Sequence, residues 1–393
     1  MVLRRQYLEK LQKLQNKKII KVVTGIRRCG KSTLLEQFRT LLLQSGVSEN
    51  QIISINFEDI SFEDLLEYRK LYAYVLERMQ KDKMNYVFLD EVQNVPDFQK
   101  AVDSLFIKDN VDVYITGSNA RMLSGELATL LSGRYVEIPM LPLSFAEYFE
   151  LVGGEKRDAW KQYFLFGGFP YAAKIEEDDI RNEYLSGIYN TVLLKDIVAN
   201  KKVQDVPLLE SMIKFLLDNV GNVVSSKKIA DSLTSYGRKT TPITVENYIN
   251  YLIQSFVMYK AERYDVKGKQ YLKTLEKYYL VDVGFRRLLL KDSGRDIGHI
   301  LENIVYLELI RRGYTVSIGK IEDKEIDFIA EKAGEKMYFQ VAASVLDEGT
   351  YSREIAPLKK VPDHYPKYII SMDEIPMGED GIQQINVIDF LLG

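Results

Sequence analysis

The sequence has 393 residues, which is long for one ordinary hydrophobic core and indicates two or more domains. Its composition, 46% hydrophobic and 28% charged, is typical of globular proteins, and the net charge of -3 gives no global signal for nucleic acid. No apolar run approaches the roughly 18 residues needed to cross a bilayer, so we expect no membrane partner. The single cysteine, Cys29, excludes an internal disulfide and favours a cytoplasmic location.

Apolar runs rich in β-branched residues alternate with helical stretches from residue 17 to residue 140. The runs are KKIIKVVTG, QIISINFED, NYVFLDEV, DVYITGSN and RYVEIPM. Short apolar runs separated by helices are typical of buried parallel strands in an α/β fold. We therefore predict an α/β domain with a parallel sheet at residues 1–150, followed by a helical connector at residues 151–204.

Residues 25–32, with the sequence GIRRCGKS, match the phosphate-binding pattern G-x-x-x-x-G-K-[ST] at every fixed position. The pattern follows the predicted strand IIKVVT and opens the predicted helix STLLEQF. Glycines let backbone N–H groups wrap a phosphate, and the N-terminus of the helix adds positive potential. The pattern predicts that Lys31 contacts the β- and γ-phosphates of ATP and that the Ser32 hydroxyl binds Mg²⁺.

The predicted nucleotide contacts cover the whole loop and the first turn of the helix. They are Gly25, Ile26, Arg27, Arg28, Cys29, Gly30, Lys31, Ser32 and Thr33. Cys29 occupies a variable position of the pattern, where its backbone N–H is expected to face phosphate. Two roles stay open for its thiol, either a small residue that fills space or a redox sensor with a lowered pKa.

The apolar predicted strand YVFL ends in two carboxylates, Asp90 and Glu91. A carboxylate beside a phosphate site can hold Mg²⁺, and a second one can polarise the attacking water. We assign the metal to Asp90 and the water to Glu91. The alternative, a strand end that simply meets solvent, is weakened by the phosphate-binding pattern in the same domain.

Two further polar residues stand at the ends of the later predicted strands. Asn119 follows VYITGS, where a polar group can orient water or sense the γ-phosphate, although a capped turn leading into residues 120–131 is the alternative. Arg134 precedes the strand YVEIP, from which it can reach the γ-phosphate of a neighbouring subunit as an arginine finger. A structural ion pair is an equal alternative for Arg134.

Residues 205–295 have the element order of a winged helix-turn-helix. A helix at PLLESMIKFLLDNV is followed by a short helix at SSKKIADSL, a longer helix at TVENYINYLIQSF, and two β-like runs joined by VKGKQ. The segment holds 15 Lys or Arg against 10 Asp or Glu, which permits contact with DNA. Its longer helix offers Glu246 and Asn247 but no arginine, so a spacer or lid that contacts protein is an equal alternative. The basic residues near the turn and the wing are Lys227, Lys228, Arg238, Lys239, Lys267 and Lys269.

Residues 296–393 predict an acidic α/β domain with an incomplete set of nuclease residues. Glu302 lies on the first predicted helix and Asp327 on a strand, whereas nucleases of the restriction type also need an acid and a lysine in the pattern E/D-x-K. Gln340 and Ala342 stand in those two places. We therefore predict a fold of the restriction-endonuclease type that has lost its activity.

Two details of that prediction concern neighbouring charges. A lysine could instead enter the site from Lys324 or Lys336. Glu325 is expected to point to the face of its strand opposite to Asp327.

The sequences VVTGIRRCGKSTLL, YVFLDEVQ, VYITGSNA, LSGRYVEIPMLPLSFAEY and FGGFP together closely resemble a group of prokaryotic AAA+/STAND-like P-loop ATPases. The resemblance covers nearly the whole chain. Members carry a winged helix and a C-terminal domain of unknown function related to the PD-(D/E)XK nuclease fold. The resemblance implies that the strand before Asn119 lies between the strands of the phosphate loop and of the acidic pair. It also implies Asn119 as the sensor and Arg134 as the finger.

These patterns and the resemblance predict a Mg²⁺-dependent ATPase. The finger role of Arg134 requires a second copy of the chain, as in a homo-oligomer. The leading hypothesis is a DNA-associated regulator or motor whose nucleotide state repositions its C-terminal domains. One alternative is an ATP switch in signalling or defence with protein partners, and another is an ATP-gated nuclease.

Overall fold

The structure, a computed structural model, describes residues 2–120, 131, 133–199, 201, 203–290 and 296–393. It divides into two units, which are described separately. The N-terminal unit consists of Met1–Pro142 and Gln254–Phe256, and the C-terminal unit consists of Leu143–Ile253 and Val257–Gly393. The segment 121–130, into which the turn after Asn119 was expected to lead, lies outside the described residues.

A five-stranded sheet forms the centre of the N-terminal unit. Its strands are β1 (Ile20–Thr24), β2 (Ile52–Asn56), β3 (Asn85–Asp90), β4 (Val111–Gly117) and β5 (Tyr135–Pro139). They lie in the order β2-β3-β4-β1-β5, and every pairing is parallel. All residues of β1, β3 and β4 are buried, as expected for a sheet covered on both faces. The predicted parallel sheet is confirmed, and β4 lies between β1 and β3.

Four helices are described around this sheet. They are α1 (Arg5–Leu14), α2 (Lys31–Gln44), α3 (Tyr68–Arg78) and α4 (Phe98–Phe106), with tighter 3-10 turns at Glu49–Gln51, Ile60–Leu66 and Val92–Asn94. The stretch SFEDLLEYRKLYAYVLERMQ is divided into a 3-10 turn and α3 because Glu67 has an extended backbone with φ -96° and ψ 121°. The Asp59 carboxylate accepts a hydrogen bond from the Ser61 amide at 2.9 Å. This contact stabilises the 3-10 turn at Ile60–Leu66, which precedes α3.

The C-terminal unit combines helices with a mixed eight-stranded sheet. Its helices are α5 (Phe145–Val152), α6 (Lys156–Phe166), α7 (Asp178–Thr191), α8 (Val206–Asp218), α9 (Ser226–Ser235), α10 (Pro242–Gln254), α11 (Gly284–Leu290), α12 (Ile297–Arg311), α13 (Glu348–Lys359) and α14 (Val387–Leu392). A π-helical segment at Val192–Ala199 and a 3-10 turn at Ala172–Lys174 complete the described helical parts. The strands are β6 (Met258–Asp265), β7 (Gln270–Leu280), β8 (Thr315–Ile321), β9 (Lys324–Lys332), β10 (Glu335–Val341), β11 (Lys367–Ser371), β12 (Gly378–Glu379) and β13 (Ile382–Asn386).

The eight strands lie in the order β12-β13-β11-β10-β9-β8-β6-β7. β6 and β7 form an antiparallel hairpin, and β6 also pairs in parallel with β8 through Arg263, Tyr264 and Asp265. The sequence analysis placed this hairpin and the later strands in two separate domains, whereas the structure joins them in one sheet.

The FGGFP sequence serves the packing of the C-terminal unit. Gly167 has a φ of 76°, and a Cβ at this position would lie 1.7 Å from the Asp282 carboxylate. That carboxylate accepts hydrogen bonds from the amides of Gly168 at 2.7 Å and Gly284 at 2.9 Å. Burial raises the pKa of Asp282 to about 7, against these hydrogen bonds. The glycines are therefore explained by close contact with a buried acid.

Candidate active site

The loop between β1 and α2 has the backbone that its glycines predict. Gly25 has a φ of 150°, and a Cβ there would lie 2.2 Å from the carbonyl oxygen of Met140. Gly30 has a φ of 104° and caps the N-terminus of α2. The loop consequently places its last amides at the positive end of the 14-residue helix α2, which is the arrangement that binds phosphate.

The Lys31 ammonium lies inside this loop and is buried, with 4% of the residue exposed. It donates hydrogen bonds to the carbonyl oxygens of Gly25 at 3.1 Å and Ile26 at 3.3 Å. Its Nζ is also 3.2 Å from Oε1 of Glu91. The structure therefore brings the predicted phosphate-binding lysine and the predicted base into direct contact.

Asp90 ends β3 beside the start of α2. Its carboxylate accepts hydrogen bonds from the hydroxyls of Ser32 and Thr116. Burial raises the pKa of Asp90, and these two hydrogen bonds act in the opposite direction. A serine hydroxyl and a carboxylate in contact present the oxygen ligands that Mg²⁺ prefers.

Glu91 is held by an unusual backbone and by several polar contacts. Its φ of 53° is left-handed, which is uncommon for a residue other than glycine and often marks a functional position. The Glu91 amide donates to the Thr116 hydroxyl at 2.8 Å, and Oε2 accepts from Ser118 at 3.1 Å and from Gln93. Burial acts to raise its pKa, but the Lys31 charge, the Gln93 hydrogen bond and the Arg27 charge leave the pKa of Glu91 lowered. The side chain is therefore ionised at neutral pH and fixed in direction.

The contacts of Glu91 reveal two residues that the sequence analysis did not assign. Thr116 and Ser118 both lie at the end of β4 and contact the acidic pair, whereas Asn119, one residue later, is half-buried. Leu89 of β3 is aligned with Ile115 of β4, so the next residues along each strand come together. Positions 116 and 118 are two residues apart, so their side chains are expected on one face of the sheet. This spacing indicates contact with the acidic pair only when the strand order is known.

The remaining loop residues differ in exposure. Arg28 is exposed with a φ of 66°, and Arg27 forms a 2.8 Å ion pair with Glu58. Cys29 is fully buried, and burial raises the pKa of its thiol despite the nearby charge of Lys31. This environment favours the space-filling role of Cys29 over that of a redox sensor.

Arg134 lies immediately before β5 and contacts helix α4. Its guanidinium forms an ion pair with Asp103 and lies 5.8 Å from the centre of the Phe106 ring. The Arg134 side chain is 44% exposed. The ion pair that was the alternative for this residue is present, and an exposed arginine is also accessible to a second copy of the chain.

Replacing Arg134 with alanine is expected to slow hydrolysis about 10-fold or more with little loss of ATP affinity, if the arginine completes a neighbour's site. Mixing Arg134→Ala with Lys31→Ala protein tests this, because each variant lacks a different half of a shared site. Recovered turnover in mixed oligomers is the expected result. Asp103→Asn is the matched control, since it removes the partner within the chain. If Asp103→Asn loses the same fraction of turnover, and mixing Arg134→Ala with Lys31→Ala restores none, then Arg134 has a structural role.

Comparisons with known proteins agree with this geometry. The profile of the AAA domain matches residues 17–149, and that of a domain of unknown function, DUF8612, matches residues 157–296. An uncharacterized protein of Haemophilus influenzae is 41% identical over 399 aligned positions, covering 100% of this chain and 99% of the relative. This chain and the Haemophilus protein belong to one family. Residues 17–149 are accordingly similar to an AAA domain.

More distant similarities are also found. An uncharacterized protein of Methanocaldococcus jannaschii is 28% identical, covering 94% of this chain and 85% of the relative. The Walker-type ATPase PABY2304 of Pyrococcus abyssi matches 74% of this chain and 96% of its own, with a TM-score of 0.48 and 16% identity. Across the described part of the chain, no helix is both long and apolar enough to cross a membrane.

A second charged cluster lies in the C-terminal unit, outside the residues 17–149 that match the AAA domain. The buried Lys277 of β7 has its Nζ 3.0 Å from Glu302, 2.6 Å from Glu325 and 3.6 Å from Asp327. Two predictions are thereby corrected. The lysine beside the acids comes from β7 and not from Lys324 or Lys336. Glu325 shares a face with Asp327, because residues two apart on a strand point the same way.

The cluster is organised around internal charge pairing. Burial alone would lower the pKa of Lys277, but the charges of Glu302, Asp327 and Glu325 raise it. Burial and the Glu302 charge raise the pKa of Asp327 to about 8. Gln340 accepts from the Asp327 amide at 2.8 Å and donates to Glu354 at 2.8 Å. Within the described residues, no group of three or more His, Cys, Asp or Glu is arranged to hold a metal ion.

Proposed function

We propose that this protein binds ATP with Mg²⁺ at the loop of residues 25–33 and hydrolyses it with Glu91 as the base. The observation that supports this most is the convergence of Lys31, Ser32, Asp90 and Glu91 at the ends of β1 and β3. The AAA domain supports ATP binding and hydrolysis in general, and these contacts support the individual roles.

The residues fit a magnesium ion as well as a nucleotide. Ser32 and Asp90, whose side chains are hydrogen-bonded to each other, would hold Mg²⁺. When bound, Mg²⁺ neutralises negative charge that develops on the phosphates. The loop amides and Lys31 bind the β- and γ-phosphates, while Glu91 accepts a hydrogen bond from the attacking water.

The contact between Lys31 and Glu91 links phosphate binding to activation of the base. The ammonium lies 3.2 Å from Glu91, and a phosphate that takes up this ammonium competes with the carboxylate for it. Glu91 is then released from the ion pair but keeps its contacts with Ser118 and Gln93. Its direction is therefore preserved while its oxygen becomes accessible to water.

The C-terminal unit is proposed to contact DNA through a winged helix-turn-helix formed by α8, α9, α10 and the β6–β7 hairpin. The supporting observation is the exposed basic group on α9 and the following turn, Lys227, Lys228, Arg238 and Lys239. Glu246 and Asn247 of α10 are exposed, whereas Tyr248 is buried and unavailable for base stacking. Contacts between such lysine or arginine side chains and DNA phosphates give affinity without sequence specificity.

Turnover of ATP with and without double-stranded or single-stranded DNA tests the proposal. We expect Mg²⁺-dependent hydrolysis that DNA stimulates and that added salt returns to its basal rate. Lys227→Glu combined with Lys228→Glu should keep the basal rate and lose the stimulation. A rate of ATP hydrolysis that neither kind of DNA changes, together with slow release of bound ATP, would instead favour a nucleotide switch with protein partners. A protein that binds no ATP would contradict the proposed nucleotide site.

The acidic cluster of the C-terminal unit is proposed to be inactive toward DNA. Its acids are paired with Lys277, and Gln340 and Ala342 supply neither a carboxylate nor a second cation. We expect plasmid and linear DNA to stay intact with Mg²⁺ or Mn²⁺, with or without ATP. Cleavage that Asp327→Ala abolishes and Lys31→Ala retains would show instead that this cluster is an active nuclease.

A further inference from the structure

Val2 and Arg4, which precede α1, are buried beside the helix that follows the phosphate loop. Val2 is 7% exposed and Arg4 is 2% exposed. Gln37 of α2 connects the two, because its side-chain amide donates to the Val2 carbonyl at 2.7 Å and accepts from the Arg4 amide at 3.3 Å. An arginine that is almost fully buried needs hydrogen-bond acceptors around its guanidinium.

The Arg4 guanidinium finds such acceptors in the phosphate loop and in the segment after β5. Nη1 donates to the carbonyl oxygen of Cys29 at 3.0 Å, and Nη2 donates to Leu141 at 2.7 Å and Pro142 at 3.4 Å. Tyr7 supports the arrangement, since its ring centre is 5.0 Å from the guanidinium and its hydroxyl accepts from the Leu141 amide at 3.1 Å. Arg4 therefore connects the loop with the backbone on its other side.

The contact with Cys29 fixes the orientation of one loop peptide. In a planar trans peptide, the carbonyl oxygen and the following N–H point in opposite directions. Because the Cys29 carbonyl points at Arg4, the Gly30 amide points away from it. A cation on the carbonyl also increases the polarity of the peptide, which strengthens the amide as a donor. Gly30 is the N-cap residue of α2, so this amide belongs to the group that would bind phosphate.

We infer that Arg4 is a positioning residue for the phosphate loop, which holds the Cys29–Gly30 peptide with its N–H directed toward the bound phosphates. The inference rests on the proposed binding of ATP at this loop. Arg4 lies outside the phosphate-binding pattern, and this role requires no direct contact between Arg4 and the nucleotide. Arg4 acts on affinity through the loop backbone, whereas Lys31 acts through its own charge.

Nucleotide affinity of Arg4 variants tests the inference. Arg4→Ala should weaken binding of ATP and ADP about 10- to 100-fold, which is the effect of one lost hydrogen bond to a charged group. Arg4→Lys should lose less, because it keeps the charge but not the forked donors that reach two carbonyls at once. Added ethylguanidinium should restore part of the ATP affinity of Arg4→Ala and leave the wild type unchanged. Arg5→Ala, an exposed arginine of α1, is the matched control and should bind ATP as the wild type does.

The outcomes separate the inference from the proposed function. Thermal unfolding without nucleotide measures any general loss of stability in Arg4→Ala. Wild-type ATP affinity in Arg4→Ala would overturn the positioning role alone and leave the ATPase proposal standing. Weaker binding that ethylguanidinium does not restore, and that follows the unfolded fraction, would also overturn it by making Arg4 merely structural. A wild-type protein that binds no ATP would overturn both.

Discussion

Glu91→Gln is expected to bind ATP with near wild-type affinity and to hydrolyse it about 10²- to 10⁴-fold more slowly, the range attributed to a general base. Glutamine has nearly the same shape as glutamate and can still accept a hydrogen bond from Ser118 and contact Gln93. The contact with Thr116 uses the backbone amide and is unaffected. The substitution therefore removes the negative charge and the proton acceptor while it keeps the local geometry.

Two measurements on Glu91→Gln separate chemistry from binding. The first is the dissociation constant of ATP, and the second is the single-turnover rate with enzyme in excess. Loss of the charge opposite Lys31 leaves that ammonium free for phosphate, so the ATP affinity should stay equal or increase. Glu36→Gln, on the exposed part of α2, is the control for an unrelated loss of one carboxylate. Hydrolysis by Glu91→Gln at a near wild-type rate would exclude Glu91 as the base.

The sequence predicts the parts of this site that depend on local chain order. A strand, a glycine-containing loop and a helix are contiguous in residues 20–44, so their arrangement follows from short-range pattern and backbone chemistry. The Asp90–Glu91 pair is predictable for the same reason, because the two carboxylates interrupt an apolar run at the point where β3 ends. The parallel sheet follows from strands that alternate with helices.

The parts that the sequence does not predict all depend on contacts between distant residues. Arg4 reaches Leu141 across 137 positions, and no periodicity in either segment indicates that their backbones meet. Lys277 reaches the acidic cluster only because the β6–β7 hairpin continues the sheet that contains β9. The face of the strand on which Glu325 lies follows from strand alternation. The expectation was wrong because it placed Glu325 and Asp327 on opposite faces, whereas residues two apart on a strand share a face.

Lys31→Ala is expected to lose ATP binding, with an affinity at least about 100-fold lower than that of the wild type. The substitution removes the ammonium that lies beside the carbonyl oxygens of Gly25 and Ile26, and with it the charge expected to face the β- and γ-phosphates.

Removal of Lys31 also breaks its ion pair with the buried Glu91, so the folded protein should lose about 1 to 3 kcal/mol of stability. Thermal unfolding of Lys31→Ala, together with titration calorimetry at a temperature where the variant is folded, distinguishes lost binding from lost structure. Lys31→Met provides a second variant of similar length without the charge, and Lys70→Ala, at an exposed lysine, controls for a lysine lost elsewhere in the N-terminal unit. Because Arg4 and the loop amides remain in place in both Lys31 variants, residual weak binding of inorganic phosphate or pyrophosphate is compatible with the proposal. Wild-type ATP affinity in a folded Lys31→Met protein is not, since it would show that the nucleotide is bound somewhere other than this loop.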